Sequence, residues 1–172
     1  MALLAVSLLS CTAATQFSRS ARNHELIREH ITVNNLPLVI FRDDISSRSP
    51  TIHFYLDGDG SPWINGKRIA KDPTSRSQLI LELMAQDSAP KILVGRPCYY
   101  ITSSKRPPSC INSLWTSHRY SSNVVTAMAA VIKEQTLRFK AQEVRLIGYS
   151  GGGTLAMLIA NHLENVDMVV TI

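Results

Sequence analysis

A chain of 172 residues, 45% hydrophobic and 18% charged, has the length and apolar content for one sizeable core, which argues against a disordered chain. Its 18 basic and 13 acidic residues leave a net charge of +5, but the cations are scattered, as at Arg42, Lys67, Arg96 and Lys133. No basic run interleaved with aromatics is present, so composition gives no footprint of nucleic-acid binding.

The chain opens with "MALLAVSLLSC", apolar up to a small residue and Cys11. This stretch is similar to the lipobox of a bacterial lipoprotein signal peptide. The resemblance implies export to the periplasm or envelope, loss of the residues before Cys11 and a lipid on Cys11. An ordinary cleaved signal or a plain apolar start are the other readings. Residues 1–22 are read as leader and tether, and residues 23–172 as the folded portion. No later stretch reaches the roughly 18 apolar residues of a membrane span, so any membrane attachment is expected through the lipid.

Two alternating apolar runs, Ile27 to Val33 and Leu36 to Phe41, flank Asn34 and Asn35, which tolerate left-handed geometry; the pattern predicts a hairpin. "TIHFYLDGDG" is a strand, Thr51 to Leu56, running into a loop of Gly and Asp. "SQLILELMAQ" sets Leu79, Ile80, Leu83 and Met84 on one helical face, and "KILVG" is a short buried strand.

Cys98 and Cys110, in "GRPCYYITSSKRPPSC", close a short Pro- and Ser-rich loop and are expected to pair in an oxidising compartment. Zinc does not fit, because the spacing is wide and no second Cys or His pair accompanies it. A long helix follows, capped by Ser121, Ser122 or Asn123, with Val124, Val125, Met128, Val131, Ile132 and Leu137 at helical spacing. "VRLIGY" reads as a buried strand, "TLAMLIANHL" as a helix and "VDMVVTI" as a core strand. Strands alternating with amphipathic helices predict an α/β fold: a mostly parallel sheet with flanking helices and an N-terminal antiparallel hairpin. The sequence stops at Ile172 within an apolar strand, as the front portion of a longer protein would.

Gly148, Tyr149, Ser150, Gly151 and Gly152 match G-x-S-x-G between a predicted strand and a predicted helix, the nucleophile-elbow context. Glycines two residues to either side of the serine let the turn close, and the helix start aims free amides and a positive dipole end at the hydroxyl. Gly151 would give one N–H to a developing oxyanion. The loop Asp57-Gly58-Asp59-Gly60 is flexible enough to turn a second amide toward Ser150. A calcium loop is excluded there, because the glycine is misplaced for an EF-hand and Arg68 stands at its last carboxylate position.

Together "FYLDGDGSPW", "GRPCYY" and "GYSGGG" resemble exported bacterial serine hydrolases of the α/β-hydrolase superfamily, and the resemblance covers nearly everything after the leader. It implies a truncated α/β-hydrolase fold. It also implies Ser150 as nucleophile, Gly151 as one oxyanion donor, Gly58 or Asp59 as the other, and neither metal nor cofactor. The expected substrate is a small-molecule ester or related acyl compound, with esterase, thioesterase and peptidase all open. No nucleic-acid or protein partner is expected. The family order, Ser then acid then His after later strands, places both triad partners beyond Ile172. His53, His118 and His162 read as surface or packing residues.

Two other readings use the same corner. Gly151, Gly153 and Ala156 fit G-x-G-x-x-A, a nucleotide-binding turn, although that fingerprint normally opens the first βαβ unit; no lysine follows, which excludes a P-loop. A hydrolase-like fold used only for binding is the third reading. Arg96, Tyr99, Tyr100, Arg119 and Tyr120 line a pocket in one reading, and are aromatic packing and surface charge in the other.

Overall fold

The computed structural model describes residues 12–45 and 49–172. The Cys11 lipidation site and the rest of the apolar leader lie outside the described residues.

Asn34 and Asn35, with φ of 50° and 63°, turn the chain between β1 (Ile27–Val33) and β2 (Leu36–Arg42), which pair antiparallel from Val33 opposite Leu36 to Ile27 opposite Arg42. β3 (Thr51–Leu56) follows. A separate small hairpin comes next, β4 (Trp63–Ile64) with β5 (Arg68–Ile69). β6 (Lys91–Val94), β7 (Glu143–Gly148) and β8 (Val166–Thr171) complete the main sheet. Its order is β1-β2-β6-β3-β7-β8, antiparallel across the first two pairings and parallel across the last three.

Parallel neighbours require long crossovers, and helices supply them. α2 (Leu79–Ala85) leads from β3 toward β6, α3 (Ser122–Phe139) from β6 toward β7, and α4 (Gly151–Ala160) from β7 to β8. The central strand β3 buries Ile52, Phe54 and Leu56 completely, as do its neighbours with Ile92, Leu93, Val144 and Leu146. These side chains, with Val124, Met128, Val131 and Ile132 of α3 and Leu155, Ala156 and Ile159 of α4, form the core.

Four details differ from the sequence reading. α2 buries Ile80, Leu81 and Met84, while Leu79 and Leu83 are half-buried. Leu137 of α3 is 69% exposed, because the buried stripe passes instead through Gln135 and Thr136. β8, expected in the core, is the outer strand of the sheet among the described residues and exposes Met168.

The fourth difference concerns the tether. Residues 13–22 belong to a helix, α1 (Ala13–Asn23), packed on the core. Ala14, Phe17 and Ala21 recur at i, i+3 and i+7, one narrow apolar stripe on a polar helix, and all three are buried. Thr12 caps the helix by accepting the Thr15 N–H, and the Asp72 carboxylate accepts a second orphan amide, that of Ala14. Phe17 stacks within 4.5 Å of Tyr100 and 5.4 Å of Phe41, ring centre to ring centre.

Candidate active site

The site is built at the ends of β3 and β7, where both strands meet a loop. β7 carries the chain through the sheet to Gly148, and Ser150 follows with φ 52° and ψ −123° before α4 begins at Gly151. A non-glycine residue rarely occupies that region, and holding one there costs about 1–3 kcal/mol. The surroundings over-determine the turn. Tyr149 donates its N–H to Leu56 O at 3.0 Å, Ser150 donates to Ile172 O at 2.7 Å, and Ile172 donates back to Gly148 O at 2.9 Å. A β-carbon on Gly148 would lie 2.5 Å from Gly153 N, so the close approach of strand and helix needs glycine there.

The consequence is an exposed serine on a rigid corner. The Ser150 hydroxyl has no hydrogen-bond partner among the described residues, and the Gly151 N–H, in the first turn of α4, meets no acceptor among them. A free hydroxyl and a free amide thus share one helix N-terminus, where developing negative charge is favoured.

The loop 57–60 lies against this corner. A β-carbon built on Gly58 would be 3.5 Å from Ser150 Cβ, so the structure brings Gly58, Asp59, Ser150 and Gly151 together, the group singled out from sequence. Hydrogen-bond accounting separates the two loop candidates. The Gly58 N–H is committed to Asp57 Oδ1 at 2.8 Å, whereas the Asp59 N–H has no acceptor among the described residues.

Five side chains left between pocket and surface prove to hold this loop. The Asp59 carboxylate accepts from Arg96 at 2.8 Å and from the Tyr120 hydroxyl at 2.6 Å, and Arg119 Nε lies 3.0 Å from its other oxygen. The Tyr99 hydroxyl donates to Asp59 O at 2.8 Å, and the Tyr100 hydroxyl to Asp57 Oδ2 at 3.0 Å. Arg96 is 3% exposed, so Asp59 supplies the counter-charge for a buried cation. Burial pushes the Asp57 carboxyl up from its ordinary range, against the Gly58 N–H, the Tyr100 hydroxyl and the charge of Arg96. Burial raises both tyrosine hydroxyls well above their ordinary value, so they remain donors.

Cys98 and Cys110 form a disulfide, which closes the loop carrying Tyr99 and Tyr100. Cys98 and Tyr100 both have positive φ, 70° and 60°, so the chain that presents the two hydroxyls is itself tightly turned.

The histidines stand elsewhere. His53 pairs through Nδ1 with Asp87 at 2.6 Å, and lies three residues, about 10 Å of strand, before the end of β3 at Leu56. His118 is exposed and bonded to Ser117, and His162 is exposed beyond the far end of α4. None bonds the Ser150 hydroxyl. Among the described residues no group of three or more His, Cys, Asp or Glu could hold a metal. A nucleotide turn over Gly151 and Gly153 meets an obstacle, because the Asp59 carboxylate covers Gly151 where a pyrophosphate would approach.

No protein-family model matches the chain, and no curated protein matches it. Solved structures do. An esterase of Pyrococcus furiosus superposes with a TM-score of 0.54 at 12% identity, over 86% of this chain and 51% of its own. A bacterial membrane phospholipase A, described as a virulence factor, gives 0.52 at 19% identity over 97% and 47%. A proline iminopeptidase-related protein of Thermus thermophilus gives 0.54 at 11% identity over 85% and 44%. The chain therefore spans about half the length of the structures it matches, and over that span its fold is the α/β-hydrolase fold.

Proposed function

We propose that the chain carries the nucleophile half of a serine hydrolase that cleaves an ester or related acyl bond of a small molecule through an acyl-enzyme on Ser150. The observation that carries this reading is the free Ser150 hydroxyl on a strained corner beside the free Gly151 N–H, with the Asp59 N–H on the loop against it. In that arrangement the Ser150 Oγ attacks the acyl carbon while the two amides hold the oxyanion. The carboxylate of Asp59 would oppose an oxyanion nearby, and Arg96, Arg119 and Tyr120 offset its charge. The reading assigns no general base to these residues, since none reaches Ser150. Export, with a lipid on Cys11 at the envelope, is part of the proposal and rests on the leader sequence.

The test is fluorophosphonate labelling of the purified chain beside Ser150→Ala, with and without added imidazole as an external base. Slow labelling that imidazole accelerates and that Ser150→Ala abolishes is the expected result. Labelling that survives in Ser150→Ala, or a folded chain that never labels even with imidazole, overturns the assignment.

A further inference from the structure

The hairpin β4–β5 stands outside the main sheet and carries side chains that a solvated hairpin has no use for. Trp63, Ile64 and Ile69 are 45%, 40% and 39% exposed, and a β-carbon on Gly66 at the tip would touch nothing within 4 Å. Trp63 and Ile69 face each other across the ladder, so their side chains share one face; Ile64 shares the other with Arg68.

The charge around them is one-sided. Between residues 61 and 80 the cations are Lys67, Arg68, Lys71 and Arg76, and the single carboxylate is Asp72. Asp72 is already engaged, by Arg106 at 3.1 Å and the Ala14 N–H at 3.0 Å. A cleft of about 800 Å³ between the hairpin and the start of α1 is lined by Thr12, Gln16, Arg68, Lys71 and Arg76 among others. Thr12, the first described residue, stands at the edge of that cleft.

We propose that the hairpin docks the protein on an anionic phospholipid surface, with Trp63, Ile64 and Ile69 entering the interfacial layer and the four cations meeting headgroup phosphates. Indole rings favour that layer, and basic residues at the same depth add electrostatic attraction. The inference is independent of the chemistry at Ser150. The hairpin begins three residues after Gly60; Ala70 N–H to Pro62 O closes its base, and Ser61 N–H to Pro73 O ties it to the following loop.

The experiment uses the full 172-residue chain without lipid and vesicles of phosphatidylcholine with or without phosphatidylglycerol. The protein has two tryptophans, and Trp115 is buried, so a change in emission reports Trp63. Emission should shift to the blue on phosphatidylglycerol vesicles and be quenched by lipids brominated on the acyl chains, and Trp63→Phe should abolish both signals. The exposed double variant Trp63→Ser/Ile64→Ser, which lacks the reporter and is followed by vesicle co-sedimentation, should fold and bind roughly tenfold more weakly. Lys67→Gln, Arg68→Gln and Lys71→Gln should each cost about fivefold on the anionic vesicles alone. Binding unchanged in the double variant would assign attachment to residues 1–11 and overturn the proposal. Trp63 emission indifferent to brominated lipid, or hairpin-dependent self-association without vesicles, would overturn it too.

Discussion

The carboxylate of Asp59 occupies the space a side chain on Gly151 would need: a β-carbon there would lie 2.7 Å from Asp59 Cγ and 2.5 Å from the Tyr120 hydroxyl. The elbow and the loop 57–60 are therefore one packed unit, and the glycine after the serine is demanded by its neighbour across the site. Gly151→Ala should lower stability by about 1–3 kcal/mol through overpacking, read from urea midpoints. The same variant should label more slowly with a fluorophosphonate, because the loop must retreat from Ser150.

Asp59 also carries the electrostatics of the corner. Asp59→Asn keeps the shape but takes from Arg96, 3% exposed, the carboxylate it pairs with; because Asp59 itself is 30% exposed, the loss should fall at or below the low end of the about 3–5 kcal/mol of a broken buried pair. Arg96→Met combined with Asp59→Asn removes both charges and should recover most of that loss. A double-mutant cycle on urea midpoints checks the coupling. If the two losses simply add, the pair is not the support described.

Two carboxyls, Asp57 buried and Asp87 half-buried, should move stability in opposite directions with pH. In Asp57, burial raises the folded-state pKa above the unfolded value of about 3.9. Its contribution is complete below that value and is lost as pH rises through the folded pKa, so Asp57→Asn should gain stability over the parent at neutral pH and not in acid. Asp87 is the reverse. Burial alone would push it up, but the Ala89 N–H, His53 and Tyr55 outweigh burial and hold it below its ordinary value. Its contribution is present above about 3.9 and is lost as pH falls through the folded pKa. Asp87→Asn should cost about 1.5–3 kcal/mol near neutrality, with the difference closing in strong acid. Urea titrations across that range check both signs.

What was legible in the sequence follows from how local each signal is. The β1–β2 hairpin, β3, β6 and α3 were readable because alternation, Asn-Asn and helical spacing each act within a few residues. Ser150 stood out because a turn that tight restricts its own neighbours. The grip on Asp59 was not readable, since Arg96, Arg119 and Tyr120 come from loops 37, 60 and 61 positions away and no period links them. The choice of Asp59 over Gly58 as a free amide needed the Asp57 side chain in place. The β4–β5 hairpin carries the turn pair Asn65-Gly66, but Lys67 and Arg68 follow it and its two-residue strands leave no alternating run to read.

α1 was hidden by its position. Eleven residues with four apolar ones, directly after an apolar leader, read as a tether, yet Phe17 is 1% exposed and packs on rings from β2 and from the disulfide loop. Truncating that ring removes its buried area and leaves a cavity that Phe41 and Tyr100 cannot both fill. Phe17→Ala should therefore cost about 3–5 kcal/mol, the value for a core phenylalanine, whereas a tether residue would cost nothing measurable. The loss should reach the candidate site, because Tyr100 loses a neighbour and its hydroxyl holds Asp57 beside Gly58. Urea midpoints give the first quantity, and the rate of Ser150 labelling under native conditions gives the second. A stability loss without any change in labelling would confine α1 to the core, and no loss at all would return it to the leader.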